Sequence, residues 1–281
     1  MFGAWVSRAV RRVRGGEVPG ELRGWRWEEP PVRPRAYLGL GVSEIVPRYC
    51  DSFRDVWLRR VARVRGDGSR GGVAVGYIVH EVFHAAAEDL RGLLVRGFEV
   101  WRAVQALFES GPREGWPEWA VSLYRRLILV WAGEVEGVLL SGGSLWGVPW
   151  VTEVVVDGSL VGLSPRLRVD ALAGGGVVVE VKVGRLRRDH DLVLAGYALA
   201  LEAQLGVPFD YGVVINVLGV PGDAPRFEAR GYFLGEMTRR RFLEYRDEAI
   251  DVVLSGREPP LSSSCSKSCP FYEACHGGGE E

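Results

Sequence analysis

A chain of 281 residues, 47% hydrophobic and 25% charged, can bury a sizeable core and is too balanced to be disordered or fibrous; no apolar run reaches the about 18 residues that a membrane span needs. A formal net charge of −1 excludes a globally basic binder, so any contact with nucleic-acid phosphate has to come from local cation clusters. A single asparagine (Asn216), two glutamines and two methionines leave few thermolabile side chains, as in proteins of hot sources.

Residues 1–14 are arginine-rich and weakly amphipathic; lacking a signal-peptide core and a cleavage pattern, they read as a surface helix of a cytoplasmic protein. Residues 43–65 read as helical around Cys50. Residues 76–109 carry a helical apolar period interrupted only by Gly92 and Gly97, which predicts one or two helices. Residues 118–140 form another, with aromatic and branched residues on the inner face, within a tryptophan-rich stretch (101–150) that carries no motif. A β-hairpin is expected over 167–173 and 177–183, then a helix over 189–204. Strands at 211–220 and 226–234 flank the turn Pro221-Gly222-Asp223, a helix at 238–254 follows, and the chain closes on a cysteine-bearing segment with a disordered 277–281 tail. Strands flanked by helices imply an α/β core with a mixed sheet. Four segments result: an N-terminal arm (1–42), a helical region (43–150), a core of sheet and helices (151–256) and a C-terminal cysteine segment (257–281).

The hairpin carries the chemistry. Leu167, Val169, Ala171 and Ala173 alternate along one side, Gly174-Gly175-Gly176 supplies the turn, and Val177 to Val183 returns. If Ala173 faces Val177, stepping outward sets Asp170 opposite Glu180, with Cβ atoms about 4.5–5.5 Å apart. Lys182 then shares the face of Glu180, about 6.6–6.8 Å along the strand, while Val179 and Val181 point the other way. Two facing carboxylates repel, and a hard divalent cation such as magnesium or manganese relieves that. The bland alternative is a surface ladder in which the lysine does so. Lys182 is notable because the chain has only one other lysine, Lys267, among 35 basic residues. An ammonium is compact and its pKa can be tuned, which suits a group that orients or helps deprotonate water.

Four cysteines supply a second signal: Cys50 alone, then Cys265, Cys269 and Cys275 spaced C-x3-C-x5-C. Four thiolates suit an iron–sulfur cluster or a structural zinc, with disulfides or inert thiols as alternatives.

The pattern D-x9-E-x-K on a hairpin resembles the PD-(D/E)xK nucleases. Further elements narrow this to the RecB-like branch: G-Y-I-V-H-E-V-F-H with His80 in the motif position, and a downstream helix in which Tyr197 stands at the tyrosine of a Q-x3-Y element, with Val193 in place of its glutamine and His190 nearby. Cys50, in P-R-Y-C, together with the C-terminal triplet resembles the iron–sulfur nucleases of the CRISPR-associated family-four exonucleases, in particular their archaeal Csa-one branch, across about residues 43–276. The resemblance implies a RecB-like fold with a mixed central sheet flanked by helices, a helical N-terminal region and a cluster-bearing C-terminal segment. It implies that His80, Asp170, Glu180 and a backbone carbonyl near Val181 hold one magnesium or manganese ion, with Lys182 and Tyr197 as catalytic partners. It also implies an iron–sulfur cluster (2Fe-2S or 4Fe-4S) on Cys50, Cys265, Cys269 and Cys275. The implied activity is exonucleolytic, on single-stranded DNA during processing of spacer precursors in CRISPR adaptation, with the integrase as partner and no membrane association. Arg185, Arg187 and Arg188 stand beyond Lys182 as DNA contacts, and Arg239, Arg240 and Arg241 form a second basic group.

Two other readings use the same residues. His80-Glu81-Val82-Phe83-His84 matches the zinc-peptidase string H-E-x-x-H, without a third ligand at the usual offset. A DNA-binding scaffold with a residual nuclease centre would fit the missing glutamine.

Overall fold

The computed structural model describes residues 2–47, 50–68, 73–111, 113–143, 149–174, 176–184, 189–222, 224–263 and 265–277. In chain order its helices and strands are α1 (Phe2–Arg11), α2 (Val42–Ile45), α3 (Arg54–Arg60), α4 (Val73–Val95), α5 (Val100–Glu109), α6 (Glu118–Leu140), β1 (Val151–Val156), β2 (Leu167–Ala173), β3 (Val177–Val183), α7 (His190–Leu205), β4 (Tyr211–Leu218), β5 (Arg226–Phe233), α8 (Glu236–Ser255) and α9 (Tyr272–His276). No described helix is long and apolar enough to cross a membrane.

The sheet is mixed and five-stranded, ordered β1-β2-β3-β4-β5, with β3 and β4 parallel and the other neighbours antiparallel. The parallel pair is joined through α7, as such a crossover requires. Apolar residues on its two faces feed two cores. One lies under α1, α4, α5 and α6 and takes in Val179, Val181, Val213 and Ile215; the other lies under α7 and α8 and takes in Val178 and Val214. That alternation follows from the period of two along a strand. Leu22, Val32 and Leu40 of the N-terminal arm are fully buried in the second core, so the arm is part of the fold. At the far edge α1 lies close on β5: a Cβ on Gly231 would stand 2.5 Å from the Ala9 carbonyl oxygen, which is why no side chain fits there.

The structure departs from the sequence reading in three places. Residues 43–65 are not one helix: α2 and α3 are short, and Cys50 lies in the non-helical link between them, where Pro47 disfavours helix. The strand β1 was not foreseen. Leu167, Val169, Ala171 and Ala173 do not share a side either, since the first two enter the α7–α8 core and the last two the α4–α6 core. The cause is local. The β1–β2 ladder pairs Thr152 with Ala171 and Val154 with Val169 but skips the rung between Glu153 and Asp170, where Glu153 has a φ of +53°. One residue in the left-handed region interrupts the alternation, and both strands change face across that rung.

Candidate active site

The site lies where β2 and β3 part. Their ladder holds Ala173 against Val177 and Ala171 against Val179 and stops there, so Asp170 and Glu180 stand one step beyond the last pair and are not the ladder pair that the hairpin register predicts. The Val181 N–H instead donates to Asp170 Oδ2 at 2.7 Å. A carboxylate thus takes the donor that a strand carbonyl would otherwise accept, and the splay opens a cavity of about 200 Å3.

Both layers contribute to this cavity. From α4, His80 Nδ1 lies 3.1 Å from Asp170 Oδ1. From β3 come Glu180 and Lys182, whose carboxylate and ammonium pair. From α7 come His190, Val193 and Tyr197, and α2 with its flank closes the space with Ser43 and Val46. The structure therefore brings His80, Asp170, Glu180, Lys182 and Tyr197 together. Val193 lines the wall one turn before Tyr197, so the position of the absent glutamine does face the cavity. Val181 touches the site through its N–H; its side chain is fully buried on the opposite face. Arg185, Arg187 and Arg188 lie outside the described residues, between β3 and α7.

Burial sets the electrostatics. Glu180 is 3% exposed, and desolvation, followed by the Asp170 charge, pushes its pKa up to about 7 against the pull of Lys182 and His80. Burial alone would raise Asp170 too, but the hydrogen bond and charge of His80, the Lys182 charge and the Val181 N–H hold it below the ordinary carboxylate range. For His80, burial lowers the pKa and the Asp170 hydrogen bond and nearby carboxylates more than reverse this, leaving it raised. Tyr197 is pushed well up, first by burial and then by the carboxylates of Glu180, Asp170 and Glu153. Glu180 Oε2 is buried without a hydrogen-bond partner. An orphaned carboxylate oxygen in a cavity with a second carboxylate and an imidazole fits a divalent cation.

Sequence reasoning missed two residues here. Glu153 of β1 reaches the same place: among the described residues one ligand atom each from His80, Glu153 and Asp170 lie within 4.8 Å of one another. Nothing local marks Glu153, because its placement depends on the inverted backbone and on the unforeseen β1. Asn216 stands beside Lys182 in the parallel ladder, buried, with its Oδ1 unpartnered. Its being the only asparagine of the chain is a signal that could have singled it out.

The peptidase string does not assemble among the described residues. His80 turns to Asp170, His84 Nδ1 lies 2.7 Å from Thr152 Oγ1, and the Trp116 indole donates to Glu81 at 3.0 Å. In the second basic group one residue is buried and two are at the surface. Arg239 is fully buried on Glu202, Arg240 pairs with Glu236 and Glu21, and Arg241 donates to the Tyr245 hydroxyl.

The C-terminal segment that carries Cys265, Cys269 and Cys275 lies against α3 and the link that carries Cys50. Cys50 and Cys269 are buried, Cys265 and Cys275 half-buried, and none is in a disulfide. Ser52 and Arg54 donate to the carbonyls of Pro260 and Pro259 at 2.7 and 2.6 Å, and Leu58, Cys269 and Phe271 share a small core, so the C-terminal segment is seated against α3. Burial raises the thiols of Cys265 and Cys269, and nearby charges add to this: Cys275 and Cys50 for Cys265, and Asp55, Cys265 and Cys50 for Cys269, against the Phe271 N–H.

A family model described as CRISPR-associated exonuclease Csa1 matches residues 4–279. A protein of that description from Thermoproteus tenax is 37% identical over 285 residues, covering 96% of this chain and 97% of the relative. Another, from Saccharolobus solfataricus, is 32% identical over 292 residues, with 96% of each covered. Among solved structures, one from Eubacterium rectale spans 95% of both chains at 11% identity with a TM-score of 0.46, too remote to carry an argument. With both relatives and the family model spanning nearly the whole sequence, the chain belongs to the CRISPR-associated exonuclease Csa1 family.

Proposed function

We propose that this protein is a metal-dependent DNA exonuclease that trims single-stranded ends of spacer precursors for a CRISPR integrase. The observation that carries the reading is the meeting of His80, Asp170, Glu180 and Lys182 in one cavity drawn from three elements. A magnesium or manganese ion bound there would lower the pKa of water and offset charge on the phosphoryl oxygens. His80, Asp170 and Glu180, with the backbone near Val181, are the groups to hold it. Lys182 then orients the attacking water or takes part in its deprotonation, and Tyr197 faces the scissile phosphate from α7. Arg185, Arg187 and Arg188 follow β3 directly and grip the phosphates of the strand.

The thiols of Cys50, Cys265, Cys269 and Cys275 hold an iron–sulfur cluster with a structural role.

Cleavage of end-labelled single-stranded DNA in manganese or magnesium tests the reading. Glu180→Ala and Lys182→Ala are expected to fall to the level of chelated protein, and cleavage retained in both variants rejects the assigned centre. Val193 on the cavity wall favours one second reading, a DNA-binding scaffold with a weakened centre, which predicts binding of the same DNA without cleavage in any divalent metal.

A further inference from the structure

Glu153 is placed by an unusual backbone. Residues in the middle of a strand seldom take a positive φ unless they are glycine, yet Glu153 has one, at the single skipped rung between β1 and β2. The residue across that rung is Asp170. The skipped rung thus delivers two carboxylates to one place, where His80 arrives from α4 and each of the three offers a ligand atom within 4.8 Å of the others.

A surface ion pair does not account for Glu153. Its contact is with Arg168 at 3.4 Å, and the Arg168 side chain is 72% exposed, so the pair stabilises little. An independent observation points to a cation: Glu180, nine-tenths buried or more and lining the cavity with His80 and Asp170, has Oε2 without any donor. A buried carboxylate oxygen left without a partner is costly unless a cation stands near it. Glu180 Oε1 is engaged by Lys182, which leaves Oε2 as the oxygen open to a cation.

We propose that Glu153 is a further metal ligand of this centre, joining His80, Asp170 and Glu180 around the divalent cation. The proposal rests on the nuclease reading above and adds a third carboxylate to the groups that hold the ion. An imidazole among the donors favours Mn2+ over Mg2+.

The test is Mn2+ binding to the full chain, followed by loss of the free-ion electron paramagnetic resonance signal, beside the DNA cleavage assay. Glu153→Gln is expected to weaken Mn2+ by at least about tenfold, the scale on which centres respond to lost coordination. Glu180→Gln is expected to weaken Mn2+ as well and to lose cleavage, so the Glu153 variants are read on binding and not on activity alone. Glu153→Gly guards against misfolding, since glycine accepts the positive φ; it is expected to fold with an unchanged near-ultraviolet circular dichroism spectrum and to bind Mn2+ as weakly as Glu153→Gln. A wild-type protein that binds and cleaves, with both Glu153 variants binding Mn2+ as tightly, overturns the inference and leaves the nuclease reading intact. A wild-type protein that neither binds Mn2+ nor cleaves DNA overturns both.

Discussion

Glu180 links burial to pH. Its folded-state pKa of about 7 lies above that of a solvated glutamate, so the protonated form is favoured by folding. The sign follows: this contribution to stability is complete below the ordinary carboxylate range and is lost as pH rises through about 7. His80 acts in the same direction over a higher window, and Asp55, raised to about 6 chiefly by burial, acts similarly in α3. Asp170 has the opposite sign, but its stabilising share is lost only as pH falls through its depressed value. The melting temperature of EDTA-treated protein is therefore expected to drop between about pH 5 and about pH 8. Glu180→Gln, which cannot titrate, should flatten part of that drop; a slope identical to wild type in differential scanning calorimetry would contradict the environment assigned to Glu180. Because Glu180 and His80 must both be deprotonated to serve a cation, Mn2+ affinity should rise over the upper part of the same range with release of protons, detectable by calorimetry in buffers of different ionisation enthalpy.

Among the elements, α7 is held by a polar knot behind the site. Glu202 is fully buried, and its carboxylate accepts two hydrogen bonds from Arg239 of α8 at 2.7 and 2.9 Å, one from Arg23 at 2.9 Å, and the N–H groups of Gly24 and Phe209 at 2.8 and 3.0 Å. Gly24 can approach only because it lacks a side chain: a Cβ there would stand 2.0 Å from the Leu199 carbonyl oxygen. Arg239→Met leaves the buried Glu202 carboxylate with Arg23 as its remaining cation and is expected to cost about 3 kcal/mol, the lower end for a broken buried pair, read from the urea midpoint. Adding Glu202→Leu should recover part of that loss. A single variant with an unchanged midpoint would show the knot to be dispensable. The same helix presents His190, Val193 and Tyr197 to the cavity, so loosening it should also reduce cleavage.

On the scale of the whole molecule, residues about two hundred positions apart are seated together near the cysteine segments. Arg54 and Trp57 of α3 donate to the carbonyls of Pro259 and Gly256, and Asp67 N–H donates to Pro270. These contacts seat the segment of the C-terminal triplet beside α3, next to Cys50, where the proposed cluster would be held. Cys50→Ser should lose bound iron and its visible absorption, and trypsin should then cut after Arg257 and Lys267 faster than in wild type. A Cys50→Ser protein with full iron content would remove Cys50 from the ligand set.

The sequence alone determined what short-range rules govern. A ten-residue separation across one tight turn made the neighbourhood of Asp170 and Glu180 legible, the period of two placed Lys182 beside Glu180 and Val181 away from it, and the helical periods located α4, α6, α7 and α8. His80 and Tyr197 came from resemblance to a family, because no local rule brings distant helices together. Only the tertiary structure decided the parting of β2 from β3, the inverted backbone at Glu153, the burial of Arg239 on Glu202 and the seating of the C-terminal segment on α3. Each depends on partners far apart in the chain, and a free energy of packing among such partners leaves no period or motif in the residues that make it.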